Sequence, residues 1–575
     1  MIKKQIDMER SKIVAAALLV VTLLWGCQDF LDRDIESSFT EDEVFVNYTR
    51  MSQAGYGVYS FLFYRIGYDR IDNAMLASAC DEADHADVNS DIHRFNTGFW
   101  NAQSVPEDYW DDFYQGIRRA NLFLENSADY RTILYRDTLD ANNKNTYHYQ
   151  VRDIAWLRAE ARFLRSFYYF ELLKRYGGVP LVEKSTEDGD DLKGLKRKSF
   201  DECVTFIESE INAVLPGLKD TWVGFEDEKW RGRVTKSAAL ALKSRLLLYA
   251  ASPLHNPDHN LDKWKKAAQA AYEVIALNRF ALHSDYKGLF RLGNGADGNI
   301  EVIFALQGWA RNDFEKRNYP IGYDQGGQGS TCPSQNLVDA YEMKATGAAI
   351  HEPGSGYDPE NPYAGRDPRL AMSVLTNNTA FKGRPIEAWV GGLDGFGKPR
   401  GTTTGYYIRK YVDEGLNLTQ NTSSIHTWIL FRYAEILLNY AEAMNEAFGP
   451  EAKGGYPLSA KAAVDLVRSR PGVAMPILPP GLSQEEMRDR IKRERRVELA
   501  FEEHRFFDVR RWKIAEETEN MPLMAMKITK NEEGQFNYLV VKAEDRKFYE
   551  KMYFYPIPET EILKSGGNLV QNEGW

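Results

Sequence analysis

The chain has 575 residues, 43% of them hydrophobic and 27% charged, with 43 Gly and 22 Pro; this is enough apolar material for a large core and excludes a disordered or collagen-like polymer. Its 72 basic residues face 83 acidic ones, a formal net charge of −11, and a net acidic body lacks the concentrated Lys/Arg face that nucleic acid requires. The same imbalance disfavours adhesion to anionic lipid through charge.

The chain opens with a basic stretch and an uncharged run from Ile13 to Leu24, 12 residues, too short for a bilayer that takes about 20. Residues 1–26 therefore read as a signal peptide, whose removal takes away four basic and two acidic residues and leaves a more acidic body. Leu24-Trp25-Gly26-Cys27 resembles a bacterial lipoprotein box, in which the Cys is lipidated and becomes the first residue; Trp25 departs from the small residue usual there. Several acyl chains on Cys27, each burying methylenes at about 0.8 kcal/mol apiece, would hold the protein in a membrane indefinitely. No other segment reaches 18 apolar residues. Of the remaining thiols, Cys80, Cys203 and Cys332 are odd in number and lack metal-ligand spacing, so they read as buried single thiols.

The clearest helix spans 151–176, where Ile154, Leu157, Ala161, Leu164, Tyr168 and Leu172 share one face until Gly177, Gly178 and Pro180 stop it. A second follows the N-cap Thr235, with Ala239, Leu242, Leu246 and Tyr249 on one face, and ends before Pro253. A third runs from Trp264 to Leu277. The pairing recurs at Phe431 to Glu446, then at Ser459 to Arg470, which Pro471-Gly472 terminates. Alanines at the crossings and aromatics between them are the pattern of tetratricopeptide-like hairpins, although no strict 34-residue period survives. Trp110, Phe113 and Tyr114 fall at helical spacing and are assigned to the core.

Between these helices lie irregular tracts at 77–104, 291–335 and 345–425, too long to be idle connections and rich in Trp and Tyr, with a short strand expected at Glu301 to Leu306. Residues 491–512 interleave charges with Val497, Leu499, Phe501, Phe506 and Phe507 behind a capping box from Ser483 to Glu486. Pairing Glu498 or Glu502 with His504 would make a catalytic site. The apolar residues face several directions, however, so the helix is expected to be packed and its charges to satisfy one another, Glu498 with Arg495. Asp81-Glu82-Ala83-Asp84-His85-Ala86-Asp87, with Asn89 and Asp91, lacks the regular spacing of a calcium loop; a solvated edge for sugar hydroxyls is favoured over a structural calcium site. There is no G-x-S-x-G, no H-E-x-x-H, and no P-loop Lys after Gly326-Gly327-Gln328-Gly329.

Several segments together resemble one family. They are Arg162 through Leu173 with Tyr176-Gly177-Gly178-Val179-Pro180-Leu181, Thr235 to Ala251, Arg432 to Glu446, Glu494 to Trp512, and Tyr555-Pro556-Ile557-Pro558 with Gln571-Asn572-Glu573-Gly574-Trp575; Cys27 to Asp32 resembles the family's start. The family is the SusD/RagB nutrient-binding outer-membrane lipoproteins, with Glu573 standing where Pro is commoner. The resemblance implies a mostly α fold, a tetratricopeptide-like right-handed α-α superhelix with a loop-rich ligand-binding face. Residues 27–575 would form one such body, 27–230 its N-terminal part and 231–575 its C-terminal part. It further implies a lid on a SusC-like TonB-dependent transporter, facing the cell exterior and binding an oligosaccharide or other nutrient. The protein would then be no enzyme, without cofactor.

Sugar rings present apolar C–H faces, so glycan sites combine exposed aromatic rings with carboxylate, amide or Arg groups. Two loops offer that mixture: Phe99, Trp100 and Asn101 with Asp84 upstream, and Trp309, Arg311, Asn312, Tyr319 and Tyr323. The family resemblance places ligand contacts in these two regions. Trp389, Tyr406 and Tyr407 form a third aromatic group held in reserve.

Overall fold

The computed structural model describes residues 41–575 apart from 66, 68, 69, 140–143, 186–191, 226–229 and 324–325. The signal peptide and Cys27 lie outside the described residues. Ten helices carry the body: α1 (Tyr48–Gly57), α2 (Trp110–Asn126), α3 (Tyr147–Tyr176), α4 (Phe200–Val214), α5 (Lys236–Ala251), α6 (Leu261–Ile275), α7 (Tyr433–Phe448), α8 (Ala460–Arg468), α9 (Gln484–Glu498) and α10 (His504–Arg511). From α2 to α8 each packs on the next in sequence, the tetratricopeptide-like stack that the helical hairpins predict.

Local chemistry explains where these helices begin and end. Thr235 caps α5 and Ser459 caps α8, each side chain accepting from the third N–H, while Ser199 and Ser483 close full capping boxes on α4 and α9. Gly177, with φ of 72°, ends α3 by accepting a backbone turn that disfavours side chains. The α3 helix differs from the one-faced stripe expected. From Phe163 to Leu173 every residue is buried, because α1, α2, α4 and α5 surround it. Small residues permit that approach: a Cβ on Gly116 would meet the Tyr168 ring at 2.8 Å.

Six strands matter to the site: β1 (Ala83–His85), β2 (Val302–Arg311), β3 (Thr331–Pro333), β4 (Ser424–Arg432), β5 (Leu523–Lys530) and β6 (Phe536–Glu544). They form antiparallel pairs β1·β3, β2·β4 and β5·β6. The strand expected at Glu301 to Leu306 extends to Arg311, so Trp309 and Arg311 stand on a strand rather than a loop. Phe431, expected to begin a helix, is strand, and α7 begins only after Arg432.

The charged region 491–512 is packed, as its pattern predicts, but with other partners. Glu498 is fully buried and pairs with Arg369 (2.9 Å), Arg432 (2.7 Å) and Arg470 (2.6 Å), not with Arg495. Arg495 turns to Asp508 (3.1 Å) and the Asn439 amide oxygen (2.7 Å). Burial alone would raise the Glu498 carboxyl pKa; Arg470, Arg432 and Arg369 outweigh it and hold the carboxyl below its ordinary range. Glu502 is taken by Arg432 and Lys410, both at 2.7 Å. Neither carboxylate is open to a substrate, so the geometry gives the catalytic reading of Glu498, Glu502 and His504 no support. Cys80, Cys203 and Cys332 are buried free thiols. Among the described residues no helix is long and apolar enough to cross a membrane.

Candidate functional site

Two of the long tracts meet through β1 and β3, where Ala83, Asp84 and His85 pair with Pro333, Cys332 and Thr331. The short helix Asp313–Asn318 links that junction to β2: the Arg317 carbonyl accepts from Ser330 N–H at 2.9 Å and the Asn318 amide oxygen from Thr331 N–H at 3.2 Å. The tracts 77–104 and 291–335 are thereby one connected surface.

On that surface the sequence candidates separate by burial. Trp309 is 66% exposed and Phe99 is 79% exposed. Trp309 owes its position to a β-bulge, because the β2·β4 register slips between Gln307 and Ala310. Gly308 makes the bulge possible: any Cβ there would lie 2.3 Å from the His426 carbonyl oxygen. Phe99 is held on a loop that Arg94 clamps by donating to the Phe99 carbonyl (3.1 Å) and the Ser104 hydroxyl (2.8 Å). Asn101 turns the same loop, its amide oxygen accepting from Gln103 N–H at 2.9 Å.

Trp100, expected as a stacking platform, is core. It is 4% exposed, with ring centroids of Trp575, Phe95 and Tyr555 at 4.6, 5.2 and 5.3 Å, so the C-terminal segment covers it. Tyr319 and Tyr323 are also buried. Both rings pack edge-on against Phe381, and their hydroxyls donate to the Asp413 and Arg384 carbonyls at 2.6 and 3.2 Å. Tyr406 and Tyr407 are fully buried, donating to Gln335 (2.5 Å) and the Asp394 carbonyl (2.8 Å), which leaves only half-buried Trp389 of the reserve group near the surface.

The polar candidates divide likewise. Arg311 is partly exposed and ion-paired to Asp313, one residue pair beside Trp309 that offers a donor and an acceptor together. Asn312 is buried and spends its amide N–H groups on Asn421 (3.0 Å) and the Thr422 carbonyl (2.8 Å), fixing the loop that borders the strand. Asp84 is 6% exposed on β1, not part of a solvated loop. The acidic tract as a whole is half core: Asp81 is bound by Arg496 (2.7 Å) and Arg505 (2.8 Å), while Asp87, Asn89 and Asp91 are exposed.

The sequence reading did not single out the pair opposite the β2 bulge. His426 on β4 lies 2.8 Å from the Glu315 carboxylate, which also accepts from Asp413 N–H at 2.9 Å. Burial lowers the His426 pKa, but Glu315 outweighs it and raises the value above that of an ordinary imidazole. The partners are far apart in sequence, so no spacing signals them. The Thr427 to Phe431 run of β-branched, aromatic and aliphatic residues could have revealed the strand that carries His426.

Comparison with known proteins gives a consistent result. The SusD family model matches residues 300–575, and a second family model, described as starch-binding and associating with the outer membrane, matches residues 29–248. SusD-like protein P2 of Formosa agariphila is 24% identical over 99% of this chain and 100% of its own. A SusD-like protein from Bacteroides fragilis superposes with a TM-score of 0.75 at 27% identity, covering 93% of this chain and 99% of the other. A SusD-like carbohydrate-binding protein from the same species gives a TM-score of 0.72 at 23% identity over 91% and 99% of the two chains, which speaks to the fold. With both family models matched in order and a fold shared end to end, the chain belongs to the SusD/RagB family.

Proposed function

We propose that this chain binds an oligosaccharide on the surface built from tracts 77–104 and 291–335, and passes it intact to a SusC-like TonB-dependent transporter on which it sits as a lid. The lipid on Cys27 anchors it to the outer membrane, facing the cell exterior. One observation carries the reading: in a strand whose first half, Val302 to Leu306, is buried, a bulge turns the Trp309 indole to solvent beside the Arg311–Asp313 pair. An exposed ring of this kind accepts the C–H face of a pyranose, and a guanidinium–carboxylate pair at its edge serves the hydroxyls. Family membership supports the same ligand class, since one matched family model is described as starch-binding.

The competing reading, a surface glycoside hydrolase, finds its suggested carboxylates sealed in Arg pairs. A panel of labelled oligosaccharides incubated with the mature chain separates the two. Retention of at least one glycan at unchanged length is the expected result; shortened chains identify an enzyme, and no retention of any glycan removes the binding function.

A further inference from the structure

Away from Trp309, two residues of one tract and a third from near the end of the chain converge where β1, the short helix His93–Thr97 and the end of β6 meet. Asp84, His93 and Glu544 each present one donor atom, all within 4.8 Å of one another. We propose that these three side chains form a binding site for one divalent transition-metal ion of the zinc class.

The imidazole orientation is the first argument. His93 Nε2 lies 3.0 Å from the Asp87 backbone carbonyl, which can only accept, so in the neutral imidazole Nε2 carries the proton and Nδ1 the lone pair. That lone pair faces Asp84 Oδ1 at 3.8 Å and Glu544 Oε1 at 3.7 Å. These separations are too long for hydrogen bonds. They match ligand atoms sharing one ion, since metal–ligand distances of about 2.0–2.2 Å place neighbouring donors roughly 3–4 Å apart. A backbone carbonyl fixing the far nitrogen is also how metal-bound imidazoles are oriented.

The carboxylates are built for the site as well. The β5·β6 register slips between Lys542 and Glu544, and this irregularity aims Glu544 inward. Its other oxygen accepts from Arg546 at 3.1 Å, leaving Oε1 turned to His93. Asp84 Oδ1 accepts from His85 N–H at 2.8 Å. Arg546 is the cation facing the cluster, and its charge is shared with Glu519 at 3.9 Å and with the Cys80 and Ala83 carbonyls. Two carboxylates remain against one guanidinium. An imidazole nitrogen among oxygen donors selects zinc or a similar ion over calcium, which takes oxygen alone. The side chains are 9%, 16% and 19% exposed, so an ion can enter and keep a position for water. Bound there, it would tie three segments that are 9 and 451 positions apart in sequence into one corner, whether or not the Trp309 surface binds a glycan.

The test is calorimetric titration of the EDTA-treated, dialysed mature chain with ZnCl2, and in parallel with CaCl2. One equivalent of zinc is expected, with a rise in melting temperature. Glu544→Gln, which keeps the shape, and His93→Ala should each weaken zinc by more than the roughly 10–100-fold that an outer-shell change costs. Absence of saturable zinc binding, binding that both variants retain at parental affinity, or a site that takes calcium in preference would each overturn the proposal.

Discussion

Trp100 and Trp309 are the same residue type in two aromatic-rich tracts, and their neighbours make them opposites. Trp100 is enclosed by Tyr555 and Trp575 from the far end of the chain, a contact no local pattern announces, whereas Trp309 stands out because Gly308 permits a bulge. The residue types suited to a sugar site were legible in the sequence; which rings face water was not, because exposure depends on pairing between distant segments. Glu82 gives a sharper case. It is 1% exposed, its carboxyl pKa is pushed up to about 8, first by burial and then by Asp81, and only one of its oxygens accepts a hydrogen bond, from Phe501 N–H at 3.3 Å. A carboxyl whose folded pKa exceeds its unfolded value stays protonated in the native state while the unfolded chain ionises, so it costs stability as pH rises from about 4.5 to about 8. Glu82→Gln should therefore melt close to the parent at pH 4 and above it at pH 8. Parallel pH profiles for the two proteins would show that Glu82 is ionised in the fold.

At the scale of elements, the helices were readable because a 3.6-residue period and its caps are local. Thr235, Ser459 and the Ser483–Glu486 box begin helices where the pattern placed them. The β4 strand and the β5·β6 hairpin escaped that reading, since their meaning lies in pairing with segments elsewhere. Glu498 shows the same limit in electrostatics: spacing along one helix suggests Arg495, while the fold supplies Arg369, Arg432 and Arg470 from other elements. Removing the carboxylate leaves three buried guanidinium groups short of a partner, and breaking a buried pair costs about 3–5 kcal/mol. Glu498→Ala should accordingly lose at least that much stability in denaturant unfolding while the folded fraction binds glycan as the parent does. A loss below about 1 kcal/mol would mean that Glu301 and Glu502 alone neutralise the cluster.

For the whole molecule, family and architecture were the most legible features, because collinear segments from Arg162 to Trp575 repeat a pattern that single residues do not. The anchor can be tested without the ligand. Cys27→Ala, expressed in cells lacking the transporter, should leave the membrane fraction, as the sequence holds no other apolar run of spanning length. Retention after a high-salt wash would assign the anchoring to another feature.

The central claim is that an indole turned outward by a bulge captures the glycan. Its most direct test is the calorimetric affinity of Trp309→Ala for the glycan the parent retains, with Trp100→Ala as the structural control. The expected result is that Trp309→Ala loses about 2 kcal/mol or more, roughly thirtyfold in affinity, at an unchanged melting temperature, because the ring is two-thirds exposed. Trp100→Ala should instead lose about 3–5 kcal/mol of stability through the cavity it opens, with the surviving folded protein binding normally. Parental affinity in a correctly folded Trp309→Ala would contradict the account.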